Sequence, residues 1–161
     1  MLVYHGSVEV VENPEIRESD RTLDYGSGFY TTTSYEQAVA WVKRKMAELN
    51  KQEGFVCVYE LNELQLQQLN LLYFDSPSEE WVDFVMCNRT IKGFVHDFDV
   101  VYGPVANDRV YASFALYEAG LISKTTLINE LKAYRLVDQF LFHTDNGIKT
   151  IKFLNAEEIK R

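Results

Sequence analysis

An α+β fold with a largely antiparallel sheet is predicted by three features of the chain. Short runs rich in branched and aromatic residues occur near both ends, amphipathic helical stretches lie between them, and regular strand-helix-strand alternation is missing. The 161 residues, 47% of them hydrophobic, can bury one substantial core and are too few for two ordinary domains. With three prolines, no repeat and no Pro/Gly-rich linker, nothing marks a boundary, so residues 1–161 read as a single domain.

The elements follow in order. Leu2 to His5 is a short β-prone run closed by Gly6-Ser7, and Gly28 to Thr32 is another, entered through the turn Gly26-Ser27-Gly28. Ser34 with Gln37 fits a capping box, and Ala38, Trp41, Val42, Met46 and Leu49 recur at helical spacing, so Ser34 to Asn50 reads as an amphipathic helix. Phe55 to Leu61 alternates as a strand. Ser76-Pro77-Ser78-Glu79 starts a helix carrying Trp81, Phe84 and Val85 on one face. Asp97 to Val105 reads as a strand, followed by helices over Asp108 to Ala119 and Ser123 to Arg135, broken at Gly120. Val137 to His143 and Lys149 to Leu154 read as paired strands turning at Asp145-Asn146-Gly147.

Charge narrows the partners. The formal net charge is −8, and between Lys51 and Val85 the acids Glu53, Glu60, Glu63, Asp75, Glu79, Glu80 and Asp83 face Lys51 alone. Such a surface repels phosphate backbones, which argues against nonspecific nucleic-acid or membrane-surface binding and favours a basic partner. No apolar run approaches the ~20 residues that span a bilayer, and no signal-peptide pattern opens the chain. Cys57 and Cys87 lack CxxC spacing and read as buried free thiols of a reducing compartment. The expectation is a soluble, cytoplasmic protein.

Two segments can build a slot for a flat ligand. Tyr30 ends a strand and Trp41 lies two turns into the next helix, so both rings can project to one side and sandwich a planar cation such as pyridinium. His5 adds an imidazole for a ribose hydroxyl, and Gly6 a backbone amide that a ligand can approach closely. Each feature alone also has a structural reading, as a strand-end histidine or a core aromatic. An interaction domain whose aromatics are all core would show no nucleotide affinity. His96, Asp97 and Asp99 read as a solvated strand edge and not as a metal site, because no second histidine accompanies them. Gly26-x-Gly28 precedes a strand, so it is no phosphate-binding fingerprint.

Tyr4-His5-Gly6-Ser7, then Gly28-Phe29-Tyr30-Thr31-Thr32, then an aromatic eleven positions after Tyr30 resemble the NAD site of diphtheria toxin and the poly(ADP-ribose) polymerases. These are the His-Tyr-Glu class of the ADP-ribosyltransferase superfamily. The third element of that class is a glutamate opening a late strand, followed by alternating large apolars, a turn and a Lys-aromatic-Leu segment. Asp138-Gln139-Phe140-Leu141-Phe142 and Lys152-Phe153-Leu154 match it, with Gln139 in the glutamate's place. Through the runs 24–30, 81–84, 102–108 and 139–144 the chain is also similar, over essentially its whole length, to a bacterial family of uncharacterised proteins, domain-of-unknown-function family 3990, assigned to the same superfamily.

The resemblance implies an ADP-ribosyltransferase-like fold, a split, mainly antiparallel sheet with flanking helices. It implies NAD as the ADP-ribose donor substrate, with no metal. His5 would bind the adenosine ribose, Gly6 the nicotinamide amide through its backbone, and Tyr30 and Trp41 would stack on nicotinamide. Phe29 belongs to the same NAD-binding set, Ser7 and Thr31 would be secondary polar contacts, and Gln139 would hydrogen-bond the 2′-hydroxyl of the nicotinamide ribose. His5, Tyr30 and Gln139 are the implied catalytic set. The implied activity is mono-ADP-ribosyl transfer to a macromolecule with release of nicotinamide, in a toxin neutralised by a small antitoxin or immunity protein. Nucleic acid would enter only as acceptor.

Gln139 opens an alternative. Cleaving the glycosidic bond of NAD passes through an oxocarbenium-like sugar that a carboxylate stabilises, whereas an amide supplies only a dipole. A catalytically silent NAD- or ADP-ribose-binding module is therefore the second reading. Asp138 is a poor substitute acid, because strand alternation aims it at the opposite face from Gln139. Asp108, at a helix start after a strand, and His143, two strand steps beyond Gln139 and on the same side, are additional candidates; their structural readings are a helix cap and a polar strand end.

Overall fold

The computed structural model describes residues 1–18, 23–105, 108–134 and 136–161, with backbone only at 108–110. Its strands and helices run in the order β1 (Leu2–Ser7), β2 (Phe29–Thr31), α1 (Tyr35–Glu48), β3 (Glu53–Leu61), α2 (Glu63–Leu66), β4 (Leu71–Tyr73), α3 (Glu79–Thr90), β5 (Val100–Pro104), α4 (Asp108–Glu118), α5 (Lys124–Ala133), β6 (Asp138–Phe142), α6 (Asp145–Ile148) and β7 (Ile151–Lys160). The class is α+β. One sheet has the order β1-β3-β7 and the other β2-β6-β5-β4. All pairings are antiparallel except β4 with β5.

The helices form where capping and apolar spacing coincide. Ser34, Ser78 and Ser123 each hold an extended backbone and accept from the N–H three residues on, at Gln37, Trp81 and Thr126. Such a cap contributes about 1 kcal/mol. Helix α1 buries Ala38, Val42 and Met46 against Val56 of β3. Helices α3 and α5 bury Trp81, Val82, Val85, Leu127, Ile128 and Leu131, which pack with Phe114 of α4 on Val101 and Leu141 of the four-stranded sheet. Between the sheets, Val3, Cys57 and Tyr59 of one meet Phe29, Phe140 and Phe142 of the other. The layers are thus α1, three strands, an aromatic core, four strands, and α3 to α5.

Two expectations of the sequence fail here. Asp145-Asn146-Gly147 is not a hairpin turn: it forms α6, capped by Thr144 Oγ1, which accepts from Gly147 N at 3.2 Å and donates to Asp99 Oδ1 at 2.5 Å. That helical turn carries the chain between sheets, so β6 pairs with β2 and β5 while β7 pairs with β3. Strand β5 starts at Val100 and not at Asp97, because the Asp99 carboxylate is engaged by Thr144 and by Asn70 N. Strand β7 runs on to Lys160, and α2 and β4 are short elements without a periodic signature. Cys57 is buried and Cys87 half-buried, both as free thiols. Among the described residues no helix is long and apolar enough to cross a membrane.

Candidate functional site

The two sheets touch along one edge and then part. Tyr4 and Thr32 exchange backbone hydrogen bonds of 2.8 and 2.9 Å, an isolated bridge between β1 and the end of β2. Beyond it β1 and β2 diverge, and His5 reaches across the opening, its Nδ1 2.7 Å from the Tyr30 carbonyl oxygen. A carbonyl only accepts, so Nδ1 carries the proton and Nε2 is left as an acceptor. Burial lowers the His5 pKa, opposed by that carbonyl, and the ring is neutral at physiological pH. Phe29 backs the imidazole at 4.4 Å between ring centres.

The opening is a cavity of about 880 Å³. His5, Gly6, Ser7, Phe29, Tyr30, Thr31, Trp41 and Gln139 all line it, so residues from β1, β2, α1 and β6 are brought to one place. Gln139 lies there because β6 pairs with β2 through Phe140 and Thr31 and with β5 through Gln139 and Gly103. Its amide nitrogen is 3.5 Å from the Pro104 carbonyl, a weak contact, and its side chain also meets the Tyr25 hydroxyl. Strand alternation sends Asp138 the other way, where its carboxylate accepts from Thr33 N at 3.0 Å and Tyr102 OH at 2.9 Å.

Tyr30 is pinned by the loop before it. Its hydroxyl donates to Gly26 O at 2.6 Å and accepts from Tyr25 N at 3.3 Å, and burial holds it protonated far above the usual tyrosine range. That tight return requires φ of +91° at Gly26 and +148° at Gly28, where a side chain would be strained. Tyr25 anchors the loop in the core: it accepts from Trp81 Nε1 at 2.7 Å and donates to Pro104 O at 2.8 Å. His96 Nε2 and His143 Nδ1 donate to the carbonyls of Tyr25 and Ser27 at 2.7 and 2.6 Å, and the two imidazoles lie 4.2 Å apart.

Trp41 is 42% exposed at the mouth, with Lys45 Nζ 5.1 Å and Arg44 Cζ 5.8 Å from its ring centre. Gly6 also has a use in packing. A Cβ there would stand 2.6 Å from the Ala38 carbonyl and 2.9 Å from Val42, so the missing side chain lets α1 lie close on β1. Ser7 Oγ accepts from Glu9 N. Thr31 Oγ1 is buried with no hydrogen-bond partner among the described residues, an orphan polar atom that costs stability.

The additional candidates fare differently. His143 is not among the described cavity-lining residues; four residues beyond Gln139, its Nδ1 holds the Ser27 carbonyl of the glycine loop. Asp108 opens α4, but its side chain lies outside the described residues. The groups that sequence reasoning missed are Asp24, Tyr111 and Arg44, all in the cavity wall. Asp24 is only 9% exposed and burial pushes its carboxyl up to about 6, partly offset by Arg89. Its position before Tyr25-Gly26 reads as a turn aspartate; the cation that offsets its burial, Arg89, lies far along the chain.

A family profile, described as "Protein of unknown function (DUF3990)", matches residues 1–153, and the chain belongs to that family. No curated protein and no solved structure matches it.

Proposed function

We propose that the protein is an NAD-dependent mono-ADP-ribosyltransferase that moves ADP-ribose to a macromolecular acceptor and releases nicotinamide. The supporting observation is the convergence of His5, Tyr30, Trp41 and Gln139 on one cavity, at the line where the two sheets separate. Its volume of about 880 Å³ lies within the roughly 300–1,000 Å³ of small-molecule sites. Neutral His5 offers Nε2 to a ribose hydroxyl, and the Tyr30 and Trp41 rings suit nicotinamide. NAD supply and the two free thiols fit a cytoplasmic protein, and the resemblance favours a toxin held by a small neutralising protein. The split pair of sheets is consistent with the ADP-ribosyltransferase-like fold.

Gln139 motivates the second reading, an NAD-binding module without turnover. The test is nicotinamide release from labelled NAD, with a cell lysate supplying acceptors, by wild type, Gln139→Ala and Gln139→Glu. Wild-type turnover that falls about tenfold or more in Gln139→Ala supports the enzyme, and Gln139→Glu is expected to be roughly a hundredfold faster, the usual worth of one preorganised charge. Activity confined to Gln139→Glu, with NAD bound equally by wild type, establishes the second reading. Neither binding nor turnover in any of the three sinks both.

A further inference from the structure

Resting on the NAD reading, we propose that Asp24 is the acid-base group of the cavity and receives the proton of the attacking acceptor, a role separate from that of the position Gln139 occupies. Asp24 lies on the pinned loop one residue before Tyr25, whose N–H meets the Tyr30 hydroxyl, and it lines the same cavity as His5, Tyr30 and Gln139. It is turned inward although a carboxylate is costly to bury. Arg89 makes that burial tolerable without consuming the group. The Arg89 Nη1 to Asp24 Oδ1 distance is 3.8 Å, and Nη1 is buried without a hydrogen-bond partner among the described residues, so the pair is a loose ion contact. The guanidinium is instead drawn outward by Glu118 at 3.3 Å and rests over the rings of Tyr111 and Phe114.

The step balances as a displacement at C1′ of the nicotinamide ribose. The acceptor oxygen forms its bond to C1′ as the bond from C1′ to the pyridinium nitrogen breaks, and that electron pair leaves neutral nicotinamide. The acceptor proton passes to Asp24 and from there to solvent. Gln139 orients the ribose and His5 holds the other one; the lining's other acids, Glu9, Glu12 and Glu15, are exposed, which leaves Asp24 as the buried carboxyl of the described lining. Its raised pKa places the acid-to-base transition near the working range of a general base. The charged and titratable groups that face it are Arg89 from α3, Glu118 and Tyr111 from α4, and Tyr25 and Tyr30 from its own loop and β2.

The experiment is the pH profile of nicotinamide release from NAD, lysate present, for wild type, Asp24→Asn and Glu118→Gln, with NAD binding measured in parallel by calorimetry. Wild-type kcat/KM is expected to rise through about pH 6 to a plateau. Asp24→Asn is expected to lose about a hundredfold in kcat, the usual worth of a general base, while binding NAD within a few-fold of wild type. Glu118→Gln removes a negative charge that raises Asp24 and frees Arg89 to approach it, so the acidic limb should move to lower pH with the plateau unchanged. A purely structural Asp24 would leave that limb in place, and titration of His5, which Glu118 does not touch, would do the same. An unmoved limb in Glu118→Gln, or full activity in Asp24→Asn, overturns the proposal, as does NAD binding without turnover in wild type. Absence of NAD binding overturns the NAD reading itself.

Discussion

The cavity wall that carries Tyr30 and Gln139 is held by buried aromatics, whereas the wall that carries Ser7 and Trp41 is a strand and helix facing solvent. On the first, Tyr25 and Trp81 are fully buried and joined by a hydrogen bond, with Pro104 as the next link. On the second, Trp41 stands 42% exposed beside two cationic side chains. Tryptophan therefore does opposite work on the two walls. One set spends its polar atoms on fixing a loop; the other keeps a ring face for whatever enters. Stability and ligand affinity should separate along that line.

The largest effect is expected at Trp81. Trp81→Ala empties a fully buried site and strips Tyr25 of its donor, which should cost about 3–5 kcal/mol in a denaturant titration. Tyr25→Phe is milder, about 1–3 kcal/mol, since the Trp81 N–H and the Pro104 carbonyl lose their partner; NAD affinity should fall with it as the Tyr30 loop loosens. Trp41→Ala should change stability by under about 1 kcal/mol yet weaken NAD about tenfold by calorimetry, the worth of one stacked ring on a cation. Equal losses of stability and affinity at both tryptophans would erase the distinction between the two walls.

The smallest expected effect is on pH. Neutral His5 uses Nε2 as an acceptor, and protonation removes that lone pair, so NAD affinity should fall as pH falls. Because burial lowers the His5 pKa, the loss belongs below the ordinary imidazole value of about 6.5. Folding stability has the same sign: the unfolded chain takes up that proton more readily, so the contribution of neutral His5 is present above the unfolded value and is lost as the pH drops. Affinity that rises on acidification would contradict the tautomer set by the Tyr30 carbonyl.

Much of this was legible in local patterns. The serine caps, the apolar stripe of α1 and the opposite aim of Asp138 and Gln139 follow from spacing alone, because each is decided within a few residues. What was not legible depends on distant partners. The exchange of a hairpin for α6 turns on Thr144 meeting Asp99, and the role of Gly6 on how close α1 lies to β1. Asp24 looks like a turn residue until Arg89 and Glu118 are beside it. His143 sits near Gln139 in sequence, but its imidazole is taken up by the Ser27 carbonyl, a contact across more than a hundred residues.

Trp41 and Trp81 are the two tryptophans of the chain, one at the cavity mouth and one sealed in the core, so intrinsic fluorescence during an NAD titration reports directly on the cavity. Saturable quenching that survives in wild type and disappears in Trp41→Phe is the predicted result. Fluorescence indifferent to NAD at millimolar concentration, or quenching unchanged in Trp41→Phe, would contradict an NAD site between the two sheets.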